Sequence, residues 1–193
     1  MTAAPMILAF SGSLREGSYN QKLVGIAAAA ARAAGADVTE LHLRNLPLPV
    51  YDADLERREG LPAPAVKLKD LMRAHDGLLI ASPEYNSSLT GALKNALDWA
   101  SRPAADEPPL ACFRDKTAAI MAASTGAVGG LRGLIHLRAI LGNLHVLVLP
   151  EQKVIPHAHD AFNDDGTLKD AAQQEAVEKI GRRLVHVLVR LRG

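Results

Sequence analysis

The chain has 193 residues, 48% of them hydrophobic and 22% charged, which is enough apolar material for one full core and too much for a disordered segment. Its 22 basic and 21 acidic residues leave a formal charge of +1, so there is no electrostatic basis for nucleic acid or an anionic membrane surface as a partner. The single cysteine, Cys112, excludes an intramolecular disulfide and any cysteine cluster for zinc or iron–sulfur, and it fits a reducing, cytoplasmic setting.

The N-terminal MTAAPMILAFSGS has no basic leader, and its apolar stretch is only a strand long, so neither a signal peptide nor a membrane span is expected. Met6–Phe10 reads as a buried strand ending in Ser-Gly-Ser. Ser18–Gly35 is alanine-rich and helical; Ser18 and Gln21 stand at capping-box spacing and Gly35 supplies a stop. Asp37–Leu43 alternates as a second strand. Leu46–Pro64, rich in proline, reads as a long loop whose Glu56-Arg57-Arg58-Glu59 is a solvated charged turn. Ala65–His75 is helical on its Val66, Leu68, Leu71 and Met72 face. Gly77–Ser82 is a third buried strand. Thr90–Ser101 is a helix, with Leu89, Leu93, Leu97 and Ala100 on one face. Thr117–Ala123 is a fourth strand, Gly129–Leu141 a helix and His145–Leu149 a fifth strand. Thr167–Leu191 closes the chain, with Val177, Ile180, Leu184, Leu188 and Leu191 on one stripe.

Repeated strand–helix alternation implies parallel crossovers, and continuously apolar strands imply a sheet covered on both faces. The expected architecture is α/β, one domain over residues 1–193, with a five-stranded parallel sheet in the order 2-1-3-4-5. Ligands of such sheets sit beyond the carboxyl ends of the strands, near the switch point between the first and third. The loops after the first, third and fourth strands are therefore the informative ones.

The first loop runs from Phe10 to Asn20 between a buried strand and a helix start. Gly12 and Gly17 permit tight turns, Ser11, Ser13, Ser18 and Asn20 offer hydrogen-bond donors, and Arg15 adds a cation. With the helix dipole behind them, these groups suit a phosphate dianion. Gly12 and Gly17 have the Walker spacing, but Ser18 stands where that motif needs lysine, and the dinucleotide fingerprint is absent. A hydroxyl-rich cradle of this kind suits a monophosphate such as that of FMN. The plainer reading is a capped helix after a polar turn.

After the third strand the chain reads Pro83-Glu84-Tyr85-Asn86-Ser87-Ser88, then Gly91, Leu93-Lys94-Asn95 and Asp98-Trp99. This run resembles the NADPH-dependent FMN reductases, the group with the bacterial chromate and quinone reductases. Gly12-Ser13-Leu14-Arg15 with Ser18 and Asn20, Pro49-Val50-Tyr51-Asp52, and the glycine-bearing Ala123–Arg132 resemble the same family, over at least Met6–Leu144. One departure is Thr90, where the family has proline; threonine can cap the helix instead.

The resemblance implies a flavodoxin-like fold and a cofactor site. Ser11, Ser13, Leu14, Arg15, Ser18, Tyr19 and Asn20 would hold the FMN phosphate end. Pro83, Glu84, Tyr85 and Asn86 would meet the polar edge of the flavin, largely through main-chain groups, with Tyr85 on or beside the ring. Ser124, Gly126 and Gly129 would lie along the ring, the glycines, Gly130 included, allowing close approach. It implies hydride transfer from NADPH or NADH to flavin N5 and two electrons passed to a small acceptor: a quinone, chromate, an azo compound or free flavin. No catalytic acid, base or nucleophile and no metal is assigned, because the cofactor carries the chemistry. The helix Gly129–Leu141 is apolar on several sides, and in the family it forms part of the subunit interface. A homodimer or homotetramer is therefore expected, with acidic partners for Arg132 and Arg138 across it.

Other features read as structural. Lys94 and Asp98 form an i,i+4 surface pair, Trp99 is core or subunit contact, Cys112 is inert, and His136 belongs to core or interface. His157 and His159, two residues apart without a third ligand, read as a solvated loop and not a metal site. The competing function is a flavodoxin-type electron carrier without NAD(P)H activity. Such carriers present an acidic face, which a net charge of +1 does not provide.

Overall fold

The computed structural model describes residues 3–105 and 107–192. The chain forms β1 (Met6–Ser11), α1 (Tyr19–Ala33) and β2 (Asp37–His42), followed by a 3-10 turn at Leu43–Asn45. Next come α2 (Ala53–Glu59), α3 (Ala63–Ala74), β3 (Gly77–Ala81), the short strands β4 (Glu84–Tyr85) and β5 (Ser88–Leu89), and α4 (Gly91–Ala100). The remainder is β6 (Thr117–Ala123), α5 (Leu131–Asn143), β7 (Leu147–Ile155), α6 (Ala158–Ala161) and α7 (Ala171–Leu191).

The main sheet is parallel throughout in the order β2-β1-β3-β6-β7, the expected 2-1-3-4-5 arrangement. Each central strand divides its apolar side chains by the period of two. Ile7, Ala9, Leu79, Ala81, Ala119, Met121 and Ala123 pack beneath α1 and α7. Leu8, Phe10, Leu78, Ile80, Ala118, Ile120 and Ala122 pack beneath α3, α4 and α5. Both faces are thus sealed, and the sheet opens only at its strand ends. Gly181 lets α7 press onto α1, because a Cβ there would stand 2.1 Å from the Ala27 carbonyl oxygen. Among the described residues no helix is long and apolar enough to cross a membrane.

Several boundaries differ from the sequence expectation. The proline-bearing loop contains α2, capped by Asp52, whose carboxylate accepts the Asp54 N–H at 2.8 Å. It has no buried residue, so no apolar stripe announces it. Its Glu56 is no free turn residue: it accepts from Arg102 at 2.9 and 3.0 Å and from the Tyr51 hydroxyl at 3.0 Å. The Arg102 bond, foremost, holds the Glu56 carboxyl below its ordinary range. The fifth strand begins at Leu147 and continues to Ile155, through Pro150. This is an edge strand, and its register slips against β6 between Ala118 and Ile120, a bulge where proline is tolerated. The last helix starts at Ala171, four residues late, because Asp170 caps it by accepting from Ala172 and Gln173. Finally, α5 starts at Leu131, after two residues in the left-handed region, Gly129 and Gly130.

Candidate functional site

The loop after β1 is folded by its own serines. The Ser11 hydroxyl accepts the Ser13 N–H at 3.2 Å, and the Ser13 hydroxyl accepts the Arg15 N–H at 3.2 Å. Gly12 is held against β3, its N–H donating to the Ala81 carbonyl at 2.9 Å. The expected capping box does not form: Ser18 makes no side-chain capping bond, although it precedes α1 and is buried. Lys22 makes the first α-type bond of this helix, to the Ser18 carbonyl at 3.1 Å, so the N–H groups of Tyr19 and Asn20 precede the helical ladder. Arg15 lies with its guanidinium 5.6 Å from the centre of the Tyr19 ring.

Asn20 does something the sequence did not signal. Its amide donates to the Ala123 carbonyl at 2.7 Å and accepts the Ala123 N–H at 2.9 Å. Both ends of the side chain are therefore used to bind α1 to the end of β6. Asn20 contributes to the site as a brace, and its free polar group there is the main-chain N–H.

After β3 the chain makes a two-stranded hairpin, β4 and β5, absent from the sequence reading. Asn86 (φ 50°) and Ser87 (φ 67°) are both left-handed, as a two-residue hairpin turn demands. Asparagine is the one local signal for it. The Glu84 carboxylate turns away to the start of α5. It accepts from Arg132 Nη2 at 2.8 Å, from Arg132 Nε at 3.0 Å and from the Gly133 N–H at 3.1 Å. His136 adds a bond to the Ser88 hydroxyl at 2.9 Å. Arg132 thus finds an acid within its own chain. Arg138 bonds the Val148 carbonyl and Gln152, also internal. His136 is exposed rather than core. With Glu84 turned inward, the hairpin presents main chain and the exposed Tyr85.

The loop after β6 is fixed by main-chain bonds. The Ser124 N–H donates to the Ile155 carbonyl at 3.0 Å, and the Ala158 N–H donates to the Ser124 carbonyl at 3.0 Å. Gly130 is required twice over, by φ 94° and by a Cβ position 2.8 Å from Ala122. Gly129 likewise meets Val154 to Pro156. These glycines answer to packing within the chain.

The three loops converge on one open cleft at the carboxyl ends of β1, β3 and β6. Ser13, Arg15, Ser18, Tyr19 and Asn20 form one wall, and Pro83, Glu84 and Tyr85 the second. Ala123, Ser124 and Thr125 form the floor, of which the sequence reading named only Ser124. Ser11 is buried beneath the loop, and Leu14 lines a separate apolar groove with Leu43, Leu46 and Ala92. Asn86, Gly126 and Gly129 are not among the lining residues.

The other residues singled out from sequence lie outside the cleft. Lys94 and Asp98 form their helix pair at 2.7 Å. Trp99 is wholly buried, its indole N–H donating to the Pro49 carbonyl at 2.8 Å. Cys112 is buried, and that burial pushes its thiol pKa up, away from the reactive thiolate. His157 and His159 pack edge to face, 6.3 Å between ring centres. Among the described residues no three His, Cys, Asp or Glu side chains are grouped to hold a metal.

The donors fit a phosphate ester that carries a flat polar ring. Hydroxyls, uncapped N–H groups and a cation lie at one end, and exposed main chain beside an aromatic residue lies at the other. A flavodoxin-like sheet with such a cleft at its switch point is the architecture of an FMN-binding protein. Comparison with known proteins agrees: the family model for NADPH-dependent FMN reductase matches residues 5–160. The chain is 38% identical over 192 residues to the NAD(P)H-dependent FMN reductase of Pseudomonas aeruginosa, covering 97% of each. It is 37% identical over 178 residues to the quinone reductase of Escherichia coli, covering 87% of this chain and 90% of that one. Among solved structures it resembles FerB, a flavoenzyme NAD(P)H:(acceptor) oxidoreductase from Paracoccus denitrificans, with TM-score 0.81 and 28% identity over 97% and 98% of the two chains. The chain belongs to the NADPH-dependent FMN reductase family, and it is an enzyme that moves electrons from NAD(P)H through FMN.

Proposed function

We propose that the cleft binds FMN with its phosphate between Ser13, Arg15, Ser18 and the first N–H groups of α1, and that the acceptor reduced there is a quinone. The observation that carries this reading is the meeting of three distant loops, each expected separately from sequence, in one cleft. FMN held there would supply the redox chemistry, with hydride coming from NAD(P)H and two electrons going to the acceptor. The protein's part is to bind, orient and leave one face open. Ser18 and the uncapped helix start meet the dianion, and Arg15 neutralises part of it. Main-chain groups of Glu84 and Tyr85 would hold the ring edge, Ser124 and Thr125 would support the ring, and Tyr85 would form one wall of the acceptor pocket. Ser11, Leu14, Asn86, Gly126 and Gly129 act by shaping these loops rather than by direct contact.

The whole chain forms one flavin-binding domain in this reading, working in the cytoplasm. It pairs as a homodimer through the α5 face, where Val128, Leu131 and Ile135 are exposed together. Chromate, azo compounds and free flavin are further acceptors open to the same unguarded face. The test is to release the cofactor from purified protein for mass spectrometry and to follow NAD(P)H oxidation with and without benzoquinone. FMN and quinone-dependent turnover are expected. Recovery of FAD, or oxidation indifferent to quinone, overturns the proposal.

A further inference from the structure

We propose that Thr90 is a positioning residue for cofactor binding, and that its hydroxyl sets the shape of the phosphate loop. The inference rests on the assignment of the loop after β1 to the FMN phosphate. Thr90 lies 78 residues from Gly12 in sequence, yet its Oγ1 donates to the Gly12 carbonyl at 2.5 Å. The same oxygen accepts the Leu93 N–H at 3.1 Å, capping α4. A hydroxyl has one proton and two lone pairs, so both bonds form together. Thr90 is only 2% exposed, so both bonds are shielded from solvent.

The Gly12 carbonyl and the Ser13 N–H belong to one rigid peptide plane. Thr90 holds the carbonyl end of that plane, and the Ser11 hydroxyl accepts from its N–H end at 3.2 Å. The orientation of this plane decides where Ser13, a cleft residue, is carried. The loop also lies directly on the first turn of α4, since a Cβ at Gly12 would stand 2.9 Å from that of Leu93. Because Thr90 follows β5 immediately, one hydroxyl links the phosphate loop to the hairpin that carries Tyr85.

Proline at this position would keep the backbone start of α4 but lose both hydroxyl bonds. The Thr90 φ of −69° is one that proline adopts, and Leu89 before it is extended, so a proline still starts α4. It has no hydroxyl, however, and leaves the buried Gly12 carbonyl without its donor. Threonine here therefore tightens the loop, where the sequence alone suggested a substitute cap and a looser loop.

The test compares FMN with riboflavin, which has the same ring and no phosphate. Dissociation constants for both are measured by flavin fluorescence on apoprotein of the parent, Thr90→Val, Thr90→Pro, Thr90→Ser and Ser18→Ala. Thr90→Val and Thr90→Pro are expected to weaken FMN about tenfold, as loss of a buried hydrogen bond does, and riboflavin by less than about twofold. Thr90→Ser should restore the parent value, and Thr90→Pro covers the case in which Thr90→Val fails to fold. Equal weakening of both ligands marks Thr90 as a helix cap only and overturns the inference. Unchanged FMN affinity in both Thr90 variants, with Ser18→Ala weakened, overturns the inference and leaves the phosphate site standing. If Ser18→Ala is unchanged as well, the phosphate assignment falls and this inference with it.

Discussion

The loop after β1 and the hairpin after β3 face each other across the cleft but are built on opposite plans. The first loop spends its interior side chains on its own shape, through Ser11, Ser13 and the Asn20 brace, and leaves Ser18 and the uncapped helix start facing the cleft. The hairpin commits its one charged side chain, Glu84, to the start of α5 and turns main chain and an aromatic residue outward. The first surface suits a fixed dianion; the second suits a flat ring and a changing set of acceptors. Affinity should therefore reside on one wall and reactivity on the other.

The largest effect should come from cutting the brace beneath the first wall. Asn20→Ala leaves the buried Ala123 N–H and carbonyl without partners and should lower stability by about 2–4 kcal/mol. Urea unfolding of the apoprotein checks this, and an unchanged midpoint would show that the Asn20 brace does not tie the first wall to β6. Next is the wall itself. Ser18→Ala should weaken FMN by about ten- to a hundredfold, the worth of a charge-assisted bond of roughly 1.5–3 kcal/mol. Because Ser18 makes no capping bond, the apoprotein should unfold at nearly the parent temperature. A large drop in that temperature with normal FMN affinity would reverse the roles of the two regions.

The hairpin should respond differently. Glu84→Gln keeps an acceptor for the Gly133 N–H but loses the ion pair with the half-exposed Arg132. FMN should stay bound, while quinone kcat/KM falls about three- to tenfold as the Tyr85 wall loosens. Loss of FMN from this variant, with little change in turnover per bound flavin, would mean the hairpin is an affinity element too. The smallest effect belongs to the helix behind the hairpin. Lys94→Ala removes an exposed i,i+4 pair and should cost less than about 0.5 kcal/mol, with FMN affinity unchanged. A strong loss of turnover there would give Lys94 a role in the site that its geometry does not show.

The sequence by itself determined the architecture and the location of the cleft. Burial on two faces of a parallel sheet writes a continuous apolar run at each strand, and helices write a period of 3.6, so the five strands were legible, while their order followed from the known doubly wound arrangements. Cap and stop chemistry was legible only where it is local, as at Thr90 and Gly35. It misled at Ser18, whose spacing to Gln21 matches a capping box that does not form. Elements without an apolar face, α2 and the β4–β5 hairpin, went unread because nothing periodic marks them. Which polar groups are free and which are spent was decided by tertiary structure alone. Glu84 meets Arg132 across 48 residues, Thr90 meets Gly12 across 78, and Asn20 meets Ala123 across 103. A hydrogen bond depends on distance and angle in space, and the local pattern of a chain carries no record of a partner that only the closed sheet brings near.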